Sequence, residues 1–184
     1  MLLLRLKHWQ AFLLLFILPF ILRYALTQLL PVAVLASSSV LYTLVDALPS
    51  IVPVLWLWWL GLYFYRRLPG SINITAVFFN LGALYFALYI LLLIYTLGIV
   101  HESIIDGTLP LGMLALLIPM HLFATFCYLY VVYFVARSIV SAAQQRVVAF
   151  HEFVLVLVQV LFLPIGIWFL QPRLNKFNSE GPIN

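Results

Sequence analysis

Residues 107–136 run without one Asp, Glu, Lys or Arg, and a single histidine, His121, sits near the middle. About 20 helical residues cross a bilayer core of about 30 Å, so an apolar run of this length reads as a membrane span. A backbone in hydrocarbon has no water to bond, so a lone spanning segment must satisfy itself as a helix. The rest of the chain repeats the pattern, with apolar segments on either side and charge only between them. Only 8% of the 184 residues are charged, against about 25% in a soluble domain. A soluble protein of this size still has to cover its surface with water-compatible groups. The surrounding solvent is therefore lipid. No connector is long enough for a separate aqueous domain.

The expected architecture is all-α, a polytopic transmembrane helix bundle forming one integral membrane domain over residues 1–184. Spans are expected at about 9–30, 49–65, 72–98 and 109–136, with a fifth at 153–170. The start has the shape of a signal peptide, with Arg5 and Lys7 ahead of an apolar core and Val34-Leu35-Ala36 before Ser37. Arg23 and Gln28 interrupt that core, and the first span is the preferred reading. Pro49 and Pro53 are expected to open the second span, where proline suits a first turn. Residues 31–50 and the stretch around His101, Glu102 and Asp106 read as connectors. Between the fourth and fifth spans, residues 137–152 read as an amphipathic connector. Val140, Ala143, Val147, Phe150 and Val154 recur at helical spacing, opposite Arg137, Ser138, Ser141, Gln144 and Gln145. The tail from Gln171 onward is polar and expected to fray.

With the N-terminus inside, the inner segments of the first four spans hold Arg5, Lys7, Arg66, Arg67, Arg137 and Arg146. The outer connectors hold Asp46, Glu102 and Asp106 and no basic residue. Basic residues concentrate on the cytoplasmic side of membrane proteins, so the N-terminus is placed there. A fifth crossing conflicts with this bias, because it carries Arg173 and Lys176 outside. Length favours the crossing. Residues 153–170 are just enough to span, and after Gly166 only four apolar residues remain for a return. The expectation is five crossings, an outer C-terminus, Trp168 in the outer aromatic belt and a bend at Pro164.

Three stretches carry a resemblance: Lys7-His8-Trp9-Gln10, Pro119-Met120-His121-Leu122-Phe123-Ala124 and Pro164-Ile165-Gly166-Ile167-Trp168-Phe169-Leu170-Gln171-Pro172-Arg173-Leu174-Asn175. Together they resemble a group of small, functionally uncharacterised bacterial inner-membrane proteins. The resemblance implies a bacterial inner membrane and supplies no activity or catalytic residues.

The chemistry-bearing side chains are few. His121 lies near the midplane, where an ionisable group marks a functional site by default. The competing account is a neutral histidine, buried and bonded to a neighbouring helix as a polar fastener. Arg23 can snorkel, or pair with Asp46, Glu102 or Asp106. Asn80 and Gln159 complete the candidate intramembrane polar site. His101-Glu102 with Asp106 and His151-Glu152 lack the helical two-histidine spacing of a zinc protease. The lone cysteine, Cys127, reads as a buried inert thiol. No nucleophile–base pair, phosphate loop or dinucleotide fingerprint is present. The reading is a non-enzymatic assembly, regulatory or scaffold component with no cofactor. Its partners are the lipid bilayer and a membrane protein or a second copy, and no nucleic acid. The alternative is a small transporter or channel with a polar path through Arg23, Asn80, His121 and Gln159.

Overall fold

The computed structural model describes residues 2–30, 39–72, 74–108 and 110–180. All regular structure among them is helical. A short 3-10 turn, Leu2–Arg5, precedes α1, His8–Leu29. The others are α2 Ser39–Tyr65, α3 Val77–Ile105, α4 Leu111–Gln144, α5 Phe150–Leu161 and α6 Leu163–Glu180. The first four are long and apolar enough to cross a membrane. Within α1, residues Leu13–Ile17 widen into a π turn. Pro19 explains the widening. Its ring crowds the carbonyl four residues back, Leu15, and a π turn moves that carbonyl aside.

Several boundaries differ from the sequence expectation. The helix α2 begins at Ser39, so Pro49 and Pro53 lie inside it rather than opening it. Interior prolines are tolerated in membrane helices because neighbouring groups and local adjustment satisfy the freed carbonyls. The expected cleavage site, Val34-Leu35-Ala36 before Ser37, falls outside the described residues. The third helix starts at Val77 and continues to Ile105, taking His101 and Glu102 into its last turns. The amphipathic connector does not form as one unit. Residues 137–144 extend α4, which stops where Gln145 takes a left-handed conformation at φ 52°. Ser138 and Ser141 are buried together with Val140, whereas Val147 and Phe150 are exposed, so burial does not divide along the expected faces.

The largest difference is at the expected fifth span. It is a helical hairpin. The chain turns between α5 and α6 on Phe162 alone. At the crossing, Gly166 lies so close to the Gln159 carbonyl oxygen that a Cβ there would overlap it. Only glycine permits that approach. Pro164 sits in the first turn of α6, where its missing N–H costs nothing. The hairpin tip is level with the middle of the bundle, since the Tyr128 hydroxyl donates to the Leu161 carbonyl at 3.2 Å. From there α6 returns to the end where the chain began. Trp168 packs on His8, with ring centroids 4.8 Å apart. The Gln171 and Asn175 side-chain amides both donate to the Leu6 carbonyl, at 3.1 and 3.0 Å. Phe177 meets Phe64, near the end of α2, at 5.1 Å. Residues 171–180 are therefore helical and docked rather than frayed, and Trp168 lies in the N-terminal half of the bundle, not in a far-side belt. The twelve residues of α5 rise about 18 Å, a little over half of a core of about 30 Å.

Bundle contacts use small residues and aromatic rings. Phe79 stacks on Phe134 with centroids 4.2 Å apart, and Gly61 gives the Phe79 ring its seat on α2. Gly82 brings α3 within van der Waals reach of the Cys127 backbone, and Cys127 is buried as expected. Lipid tails are as apolar as leucine, so this close packing, rather than water exclusion, holds membrane helices together.

Candidate functional site

Each candidate polar residue has a partner or environment of its own, and the four do not meet. The Arg23 guanidinium pairs with Asp46, tying α1 to α2 near the end away from the hairpin base. At the other end, the Trp58 indole donates to Asn80 Oδ1 at 2.8 Å and ties α2 to α3. Tyr89 Oη and His121 Nδ1 lie 2.7 Å apart and tie α3 to α4. Beside them the Tyr85 hydroxyl donates to the Met120 carbonyl at 3.4 Å. Gln159 sits in the hairpin, and its buried Oε1 has no hydrogen-bond partner among the described residues. Among the described residues the four positions share no hydrogen bond or ion pair with one another.

His121 contacts a polar group on another helix, as expected, but it is exposed rather than buried. The hairpin is the reason. No described residue of α4 before Ala124 is buried, whereas from Val131 to Ala142 all but Tyr133 and Arg137 are. The near half of α4 is covered by α5, through contacts such as Tyr133 against Phe153 at 5.4 Å. A full-length fifth span would have covered the far half too. His121 lies seven residues, or two turns, before Tyr128 on the same helix face, and Tyr128 already touches the hairpin tip. It therefore sits beyond the reach of α5. Thr125, between them, donates to the His121 carbonyl at 2.9 Å.

Above the tip is a cavity of about 370 Å³ whose walls include Phe16, Ser50, Pro53, Ile90 and Tyr128, with Leu161 and Pro164 at its floor. No sequence pattern marks it, because it exists only where the fifth segment stops short. Ser50 and the Tyr128 hydroxyl are the polar groups among these walls.

At the hairpin base, Arg146 forms an ion pair with Glu152. The Ala149 backbone N–H also donates to Glu152, at 2.7 Å, so this carboxylate caps α5. The hydrogen bond from Arg146, and then that from Ala149, hold the Glu152 carboxyl below its ordinary value. Among the described residues no three His, Cys, Asp or Glu side chains gather as a metal ion would require. Glu102 and Asp106 lie at the opposite end from His151 and Glu152.

No protein-family model, curated protein or solved structure matches the chain.

Proposed function

We propose that this chain is a non-enzymatic assembly, regulatory or scaffold component of a bacterial inner membrane, and that it binds a membrane-protein partner through the far half of α4. One observation carries the reading: His121 is exposed in the middle of a membrane span. Ionisable side chains within spans almost always face protein or a water-filled cavity. A partner helix laid along α4 above the hairpin tip supplies protein there and an acceptor or donor for the second ring nitrogen. The N-terminus is cytoplasmic in this reading. Eight of the nine Lys and Arg residues, all but Arg23, lie toward the end shared by the N-terminus and the hairpin base, as the charge bias requires.

The alternative, a transporter or channel, needs Arg23, Asn80, His121 and Gln159 along one path, and they occupy four separate places. Purification of a tagged copy in mild detergent separates the two readings. A stoichiometric membrane protein, or a second copy, that is lost on His121→Leu supports the proposal. A monomer that catalyses pH-dependent flux in liposomes contradicts it.

A further inference from the structure

Where α6 docks on the start of the chain, cations from both ends of the sequence are gathered. Leu4 is fully buried, and the Leu6 carbonyl accepts from the Gln171 and Asn175 amides. The segment that carries Arg5 and Lys7 is therefore held in place on either side of Leu6. On the opposing helix Lys176 follows Asn175, and Arg173 lies midway between the two amides. All four basic residues are exposed, and the dock joins segments 165 residues apart. Residues 2–12 and 163–179 hold these four cations and no Asp or Glu. The Arg23–Asp46 and Arg146–Glu152 ion pairs lie outside both segments. Trp9 and Trp168, each 45% exposed, belong to the same two segments, and tryptophan favours the headgroup level of a bilayer. The cations thus stand at the depth where a membrane presents its phosphates.

We infer that the docked chain ends form a site for the headgroup of an anionic phospholipid, and that this lipid holds the α5–α6 hairpin closed on the N-terminal turn. Like charges brought together oppose the dock, and a phosphate among them turns repulsion into attraction. Phosphate oxygens accept charge-assisted hydrogen bonds from Lys and Arg. Undocking carries Arg173 and Lys176 away from Arg5 and Lys7, so the complete set of cations exists only in the docked form. A ligand that binds only that form stabilises it. Ordinary attraction of anionic lipid to basic residues does not depend on the dock, whereas this site does. The two tryptophans favour a lipid headgroup over free phosphate, because they fix the site at the bilayer surface. The inference does not rest on the partner proposed at His121.

The test is thermal unfolding of the full chain in a non-ionic detergent, titrated with phosphatidylglycerol, phosphatidylcholine or inorganic phosphate. The expected result is a rise in melting temperature with phosphatidylglycerol alone. Arg5→Gln and Lys7→Gln should each need about fivefold more of that lipid for half of the rise, as loss of one basic residue near the surface implies. Arg137→Gln, which removes a cation of α4, should leave the titration unchanged. Gln171→Leu combined with Asn175→Leu removes both donors to the Leu6 carbonyl and should abolish the rise. Should that double variant or Arg137→Gln fail to fold, Arg5→Gln and Lys7→Gln decide the matter, because both change exposed side chains. An equal rise with phosphatidylcholine or inorganic phosphate, or titrations of Arg5→Gln and Lys7→Gln that match wild type, would overturn the inference.

Discussion

At the scale of single residues, the polar groups of this protein act as ties between particular helices. Trp58 and Asn80 form such a tie between α2 and α3. Asn80→Ala leaves the indole N–H without its acceptor, at a cost of about 1 kcal/mol to helix association. Adding Trp58→Phe should cost much less than it does alone, because the two side chains share one interaction. Detergent unfolding of the four proteins of that cycle checks this, and additive losses would contradict it. His121→Asn should likewise leave the fold intact and cost about 1 kcal/mol, while His121→Leu removes the partner. Glu152 makes a pH-dependent contribution whose sign is fixed. Its carboxyl is held below the ordinary value of 4.5, so folding favours the ionised form. The stabilisation is fully present above 4.5 and is lost as pH falls through the lower, folded value. The difference in melting temperature between wild type and Glu152→Gln should be constant above about pH 5 and shrink below it. A difference independent of pH throughout that range would contradict the pairing.

At the scale of elements, the existence of the four spans is legible from charge-free runs, because hydropathy reports what must be surrounded by lipid. Their ends are less legible, because a helix can continue past the apolar window. Ser39 to Ser50 and Arg137 to Gln144 both read as connectors, yet both are helical and packed onto the bundle. Burial of Ser138 and Ser141 follows from that packing, which a local periodicity does not contain. The Tyr89–His121 tie was half legible, since Tyr85 and Tyr89 share a face four residues apart. The hairpin was the hardest element. The apolar residues end at Leu170, so a break at Gly166 leaves too little apolar chain for a return. The turn is in fact at Phe162, and α6 continues to Glu180, giving ample helix for the return. The polar residues that looked like a fraying tail are its dock, with Gln171 and Asn175 both on the Leu6 carbonyl. Lys7-His8-Trp9-Gln10 and the segment around Trp168 are in contact across the molecule, which no local reading of either shows. The hairpin should be sensitive at its crossing point. Gly166→Ala places a methyl against the Gln159 backbone, which cannot move aside as a side chain would, at about 1–3 kcal/mol. Gly98→Ala, in open space, is the control. Equal melting temperatures for the two variants would contradict the close approach.

At the scale of the whole molecule, four spans are closed on one side by a half-depth hairpin. This arrangement places Arg173 and Lys176 with every other basic residue except Arg23 and leaves the far half of α4 uncovered. The conflict between charge and length in the sequence is thereby resolved for charge. The exposed His121, the cavity above the tip and the packing of α6 against Leu6 and His8 all depend on the hairpin. One measurement tests it directly. Cysteines are placed singly at Ser179, in the docked end of α6, and at Glu102, at the far end of α3, in a Cys127→Ser background. Intact cells are treated with a membrane-impermeant thiol reagent. With the N-terminus cytoplasmic, as proposed, the hairpin predicts that position 102 is labelled and position 179 is protected until the membrane is opened. Labelling of both positions in intact cells would mean that the fifth segment crosses, and would contradict it.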